Sequence, residues 1–599
     1  MKLLRLKLNS DFRSLAAGFE VNFLREWDHD RCFEFHPYCL AGRNGSGKSN
    51  VLEALAAIFY HIECIYLGYR PDGFASENED NLEAPGFNTK VSEPDAFELE
   101  YIFPDDTLKE LEPWPKSDTR PVAHIRITKV AGERPRFECL NRAEYEDTKQ
   151  TELSSRAAIQ AYLPKYILGY SSGHNEILSL PFFKMRFIHF DEYQDKLIKR
   201  VDYPNRPEGR MIYLDDQFSQ VILLCHFLFP SEAITRVFKD KIDLEGFRCF
   251  RLIIRRFHRV QLEQEASSSS SSSSSQDSEP EETVELTKNL TDIINKLIQC
   301  STTHYEDRTP YAGDEDNAHD LYLDFWIDDE GETRRAFHTH FADSAGGSEE
   351  LNKAASAINL FHALQTLLTL NYYKVDLTTK SELYESASLY VNETIPTPAS
   401  HERIARFKDS RIIKPGVDDR IYLKNLSDGE HQLLHTIGLC LLFRHTSSLF
   451  LLDEPETHLN PDWRASYIST LRAALEADES TSKVMREVLL TSHSPFIISD
   501  CHKENVLVFT KDTMTQKVTC DRPQFQTFGA SATLITNEIF DRPETIGDFA
   551  NDELKRLESL AGQVDQNPLQ IARQLDRALG DSIEKTLAIN RILGGSKES

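Results

Sequence analysis

Long apolar runs are missing from this chain: no window approaches the ~20 residues that would span a bilayer, and charges interrupt every candidate. That predicts a chain without membrane segments. The first residues, Met1-Lys2-Leu3-Leu4-Arg5-Leu6-Lys7, alternate like a strand and lack the apolar core of a secretory signal. The ten cysteines form no CxxC pair and no cluster with histidine, which predicts a reduced, cytoplasmic protein without a zinc site. Positive charge is scarce as well. With 68 Lys and Arg against 96 Asp and Glu, the formal net charge is −28. The bulk field would repel nucleic acid, so contact with DNA or RNA would have to be local or made by a partner. Sustained heptads and solenoid repeats are absent, which excludes a long coiled coil and a repeat array. In place of these stands a chain of 599 residues with 40% hydrophobic content, enough for two or three units sharing a core.

Two motifs supply the chemistry. Gly42-Arg43-Asn44-Gly45-Ser46-Gly47-Lys48-Ser49 is a complete phosphate-binding loop, entered from an apolar stretch and followed by helical spacing from Ser49 to Ile62. Its glycines let backbone N–H groups approach phosphates, Lys48 neutralises β/γ oxygens, and the Ser49 hydroxyl suits Mg²⁺. Far downstream, Phe450-Leu451-Leu452 leads into Asp453-Glu454. A strand end is where α/β sheets bind ligands, so Asp453 is placed on Mg²⁺ and Glu454 on the attacking water as general base. Both readings imply ATP and Mg²⁺. Adjacent carboxylates at a buried strand end repel unless a cation sits there, which weighs against a mere acidic turn.

Leu426-Ser427-Asp428-Gly429-Glu430 reads locally as an N-cap serine with acidic first-turn residues. Its place ahead of Asp453 gives it more meaning. With these motifs in this order the chain resembles the ABC-type ATPases, in which a signature helix binds ATP held by the other subunit. The resemblance assigns Ser427 and Gly429 to that trans contact, Pro455-Glu456-Thr457-His458 to the D-loop, and His493 to the switch histidine near the γ-phosphate. Asp428 and Glu430 depart from the transporter form. Asn50 and the following Val51-Leu52-Glu53-Ala54 resemble the SMC and RecF branch. The long span between Ser49 and Leu426, without heptads, is similar to the compact ATPases of antiphage systems: restriction-associated ATPases and the PtuA family of Septu and retron systems. Tyr170-Ser171-Ser172-Gly173-His174-Asn175-Glu176 stands for their Q-loop region. The resemblance implies an ATP-sandwich homodimer and a separate effector nuclease, such as an HNH protein. No Toprim-like acidic cluster follows His493, and no HNH pattern appears. Direct action on DNA, as in RecF- or SMC-type repair, is the alternative. A transporter subunit is disfavoured by Asn50 and by the long span.

The expected fold is α/β: an ABC-type P-loop ATPase with split N- and C-terminal lobes and a large mixed insertion. Boundaries are placed at 1–64 (phosphate-loop lobe), 65–165 (β-rich insertion), 166–230 (Q-loop-like region and helices), 231–400 (mixed region), 401–510 (second ATPase lobe) and 511–599 (mainly helical tail, after one strand beyond Val506). A serine tract, Ser267 to Ser275, marks a surface loop over 263–283. Helices are also expected at Glu282–Cys300 and Gly347–Asn371. Arg248, Arg251, Arg255, Arg256, His258 and Arg259 form a basic strand. It reads either as a solvated face paired with acids or as a local nucleic-acid or partner site.

Overall fold

The computed structural model describes residues 1–24, 34–67, 90–104, 122–142, 151–172, 178–199, 209–255, 288–307, 320–327, 331–343, 348–372, 375, 377–386, 395, 398–401, 403–417, 421–476, 484–561 and 567–594. The fold is α/β, the class expected. Its centre is a seven-stranded sheet in the order Val518–Asp521, Val506–Lys511, Tyr38–Gly42, Glu487–Ser492, Leu449–Asp453, Ile167–Ser171, Met211–Tyr213. All neighbours run parallel except the first pair. Parallel strands covered on both faces need continuous apolar runs. Leu449–Asp453 and Tyr38–Gly42 are accordingly buried at every position. The sheet divides the interior: Phe450 and Leu452 face one core, Leu449 and Leu451 the other. Strand order ignores chain order, since Tyr38–Gly42 lies between Val506–Lys511 and Glu487–Ser492. Neither end of the chain can complete this sheet alone.

The other two sheets are antiparallel. One pairs Glu20–Asn22, Lys2–Leu8, Phe97–Pro104, Val122–Lys129 and Arg136–Cys139 in that order. The stretch read from sequence as a β-rich insertion thus joins the first hairpin in one sheet. Val122–Lys129 alternates half-buried and buried residues, and Arg5 bridges Glu20, Glu98 and Glu100 on the wetter face. The other sheet orders Thr303–Asp307, Asp320–Trp326, Gly246–Arg255 and Ala405–Ile413. Its apolar face, with Leu252, Ile254, Leu321, Leu323 and Phe325, joins the core of helices Asp216–Leu228, Glu349–Thr369 and Asp428–Leu442. In the tail, helices Asp548–Ala561, Pro568–Ala578 and Ile583–Gly594 enclose a small core of their own around Leu557, Leu575 and Ala588. No helix among the described residues is long and apolar enough to cross a membrane.

Several expectations need correction. Beyond Val506 there are two strands, not one, forming a hairpin whose first strand enters the main sheet. The basic strand spans Gly246–Arg255, and its Arg251 and Arg255 are paired inside the sheet. Arg251 grips both oxygens of Asp324, at 2.6 and 2.9 Å, while Arg255 and Arg406 share Asp320. The bland reading of that strand holds for Arg251 and Arg255. Arg256, His258, Arg259, the serine tract and residues 282–287 lie outside the described residues.

Sequence reading missed the helix Leu180–Ile198 because its charges break the apolar pattern. Those charges are buried and partnered: Lys380 and the Tyr384 hydroxyl meet Asp191, and Arg186 bonds Asp215 and the Tyr213 carbonyl. Arg186 also lies over the rings of Phe218 and Phe183. Removing one partner of a buried pair strands the other charge, at a cost of roughly 3–5 kcal/mol. Asp215→Ala should therefore lower the urea-unfolding free energy by about 3 kcal/mol or more. Arg136→Ala, which breaks an exposed pair with Glu133, should change it by less than about 1 kcal/mol.

Candidate nucleotide site at the strand ends

Because the central strands are parallel, their carboxyl ends share one edge, and Gly42, Ser171, Asp453 and Ser492 arrive there together. At Gly42 the chain must turn against the neighbouring strand. Its φ is 144°, and a Cβ there would stand 2.4 Å from the Phe509 carbonyl oxygen. The loop then delivers helix Lys48–Tyr66 with Gly47 at its N-cap and no capping side chain, leaving its first N–H groups for another acceptor. Lys48 is buried. Its Nζ donates to the carbonyls of Gly42 and Arg43, each at 3.1 Å, so the amine sits inside the loop it belongs to. Burial lowers its pKa, opposed by Glu454 and Asp453. The Ser46 hydroxyl is buried with no hydrogen-bond partner among the described residues. A loop with uncapped N–H groups, a held amine and an orphan hydroxyl fits a phosphate chain.

Asp453 ties the two halves of the chain. Its Oδ1 accepts from Ser49 Oγ and from Thr491 Oγ1, both at 2.7 Å, and its Oδ2 from Ser171 Oγ at 3.3 Å. Burial raises its pKa, while Thr491 and Ser49 work in the other direction. A carboxylate and a serine hydroxyl are hard oxygen donors, the set that suits Mg²⁺.

Glu454 follows in the left-handed region, φ 47°, unusual for a residue with a side chain. Three bonds fix its backbone. Its N–H donates to Thr491 Oγ1 at 2.9 Å, and its carbonyl accepts from Thr457 Oγ1 at 3.0 Å and Gln432 Nε2 at 3.2 Å. Its carboxylate lies 3.3 Å from His493 Nε2, and the imidazole holds it below the ordinary glutamate range. The twist at Glu454 aims the carboxylate at the histidine one strand away.

The segment Asp428–Leu442 starts as a helix because Ser427 and Glu430 cap each other. Ser427 Oγ accepts from the Glu430 N–H, and Glu430 Oε2 accepts from the Ser427 N–H at 2.8 Å. Gly429 lies where a Cβ would press within 2.9 Å of the His458 carbonyl oxygen. Ser427 bonds Glu430 within its own helix start, and among the described residues no hydrogen bond links Ser427 or Gly429 to the phosphate loop. Arg43 reaches elsewhere: Nε donates to the Phe540 carbonyl at 2.9 Å and Nη2 to the Asp541 carboxylate at 2.9 Å. Asn44 is exposed, and Asn50 accepts from Ser14 Oγ at 2.6 Å. Of the Q-loop-like stretch, Ser171 and Ser172 are described, whereas Gly173 to Glu176 lie outside the described residues.

Sequence reading gave no individual role to Thr491, Ser171, Gln432 or Glu456, although Ser171 and Glu456 stand in the Q-loop-like and D-loop stretches. Gln432 bridges two elements, donating to the Glu454 carbonyl and accepting from the His458 N–H at 2.7 Å. Glu456 is buried and accepts from Ser492 Oγ. The signal for Thr491 is a hydroxyl at the end of an apolar strand; Gln432 has no such local signal.

Residues 38–499 match the family model described as "AAA domain, putative AbiEii toxin, Type IV TA system". Protein ea59 of Escherichia phage lambda is 28% identical over 119 residues, which covers 20% of this chain and 21% of that protein. The aligned segment thus spans about a fifth of that relative's length. Among solved structures, the SMC head domain from Thermotoga maritima is similar at 12% identity and a TM-score of 0.28, over 88% of this chain and 100% of that one.

Glu456 generates a pH prediction. Burial pushes its carboxyl up to about 7, with the Ser492 bond opposing. An unfolded glutamate titrates near 4.3, so between about pH 4.5 and 7 the folded chain holds a proton that the unfolded chain has lost. Stability from this group therefore falls as pH rises through that window. Glu456→Gln should flatten the pH dependence of thermal unfolding there and raise the melting temperature at pH 8. A profile identical to that of the parent protein would show that Glu456 is ionised when folded.

Proposed function

This chain belongs to that AAA-domain family, and from that membership we propose that it is an ABC-type ATPase that binds ATP with Mg²⁺ between its two distant halves and hydrolyses it. The observation that carries this reading is the meeting of Ser49, Asp453 and Thr491. A phosphate-loop hydroxyl and a strand-end carboxylate, remote in sequence, share one point beside a buried lysine. Gly42, Arg43, Asn44, Gly45, Ser46, Gly47, Lys48, Ser49 and Asn50 form the nucleotide cradle. In it, Lys48 exchanges its two loop carbonyls for β/γ oxygens. Ser49 and Asp453 hold Mg²⁺, which supplies charge neutralisation to the phosphates.

Glu454 accepts the proton of the attacking water. Two features favour that assignment: the neighbouring imidazole keeps the carboxyl ionised, and the clamped backbone fixes its direction. His493 orients the carboxylate and contacts the γ-phosphate. Ser427 and Gly429 serve the nucleotide of a second copy, a role that the motif resemblance supports. Hydrolysis then times the opening of the dimer. The biological setting we propose is antiviral defence in the cytoplasm, with a separate effector nuclease regulated or scaffolded by the ATPase. The family description and the motif resemblance favour it over direct DNA repair.

Glu454→Gln should lower ATP turnover on the order of 10²-fold or more while ATP binding persists and ATP-bound dimers accumulate in light scattering. Unchanged turnover would remove Glu454 from the mechanism. For the setting, phage plating on cells carrying the gene with its neighbours should lose protection on Lys48→Ala. DNA cleavage by the purified chain with metal alone would contradict the division of labour.

A further inference from the structure

We infer that the outer face of the four-stranded sheet binds single-stranded nucleic acid by base stacking, at a site separate from the nucleotide pocket. Leu321, Leu323 and Phe325 are buried in the core, so Tyr322, Asp324 and Trp326 of the same strand occupy the opposite face. On the edge strand, Tyr305 stands opposite Tyr322. Their rings are parallel within 5°, with centroids 4.7 Å apart. Among the described residues no further strand lies beside Tyr305, which is 46% exposed. The stack thus ends at a solvated edge, where a base can extend it. Four residues along the strand, about 13 Å, Trp326 offers a second ring at 49% exposure. Exposed aromatic rings spaced along one face of a sheet are what sequence-tolerant single-strand binders use, because every base has a π-face.

Charge on the same face points the same way. Register places Lys408 opposite Arg251 and Arg411 opposite Cys249, the residue that also faces Trp326. Arg251 is spent on Asp324, but Lys408, Arg411 and Lys424 form no ion pair among the described residues. Arg411 and Lys424 each lie 5.5 Å from the Tyr422 ring centroid, which carries the cationic row from the sheet toward the start of the signature helix. In a chain of net charge −28, three cations without an ion pair among the described residues, on or next to the sheet that carries the exposed rings, make a local site for phosphates. The strand read as basic from sequence is not its source: the site draws its rings from Thr303–Asp307 and Asp320–Trp326 and its cations from Ala405–Ile413 and beyond.

Fluorescence anisotropy with labelled 20-nucleotide oligo-dT and oligo-U at about 50 mM salt tests this directly. The parent protein should bind both. Tyr305→Ala with Trp326→Ala should weaken binding tenfold or more, and the corresponding phenylalanine pair should retain it. Lys408→Ala with Arg411→Ala should weaken all sequences alike and flatten the salt dependence. ATP turnover without oligonucleotide should be unchanged in every variant, so failure here is distinguishable from failure of the ATPase assignment. No binding by the parent protein, equal binding by the alanine aromatic pair, or duplex bound as tightly as single strand would each overturn the inference.

Discussion

Everything in this molecule depends on one carboxylate. Asp453 is nearly inaccessible to solvent and would be costly to ionise there alone, yet three hydroxyls reach it from three separate segments. Ser49 brings the phosphate loop, Thr491 the strand Glu487–Ser492 and Ser171 the strand Ile167–Ser171. The seven-stranded sheet is the geometric condition for this meeting. Its order interleaves strands from both ends of the chain, so the site exists only when those ends have folded together. Burying two cores on opposite faces of that sheet supplies the driving force.

From Asp453 the constraints spread outward through backbone bonds. Thr491 touches both Asp453 and the Glu454 N–H, so one hydroxyl sets the position of the carboxylate and the turn after it. Gln432 then links the Glu454 carbonyl to the His458 N–H. Movement of the helix Asp428–Leu442 must therefore be felt at the Glu454 turn and at the segment that follows. Through this one amide side chain the helix Asp428–Leu442 is one hydrogen bond from the Glu454 turn and one from His458. Arg43 adds another connection, from the phosphate loop to the end of the helix Ala532–Phe540 in the tail.

The sequence made the local chemistry readable and the long-range arrangement much less so. The phosphate loop, the Leu449–Asp453 strand and the Ser427 cap each depend on residues within one or two turns, and their positions could be located from spacing alone. Gln432 gave no hint, because its partners are brought to it only by the folded helix and the turn after Asp453. The helix Leu180–Ile198 was hidden by its own charges, since Arg186 and Asp191 look solvent-facing until Asp215 and Lys380 appear beside them. For the basic strand the sequence offered an acid-paired face as one of two readings, and it could not name the acids. Its arginines face aspartates on a strand far along the chain, and no count of neighbours along the sequence predicts that pairing.

The central claim, that two remote halves build one pocket for a triphosphate and its metal, is tested most directly by calorimetric titration of ATP, with and without Mg²⁺. The proteins to compare are the parent, Lys48→Ala and Asp453→Asn. The account predicts tight binding by the parent in Mg²⁺, at least a tenfold loss for Lys48→Ala, and loss of the Mg²⁺ dependence for Asp453→Asn. Parental affinity and Mg²⁺ dependence in both variants would contradict it.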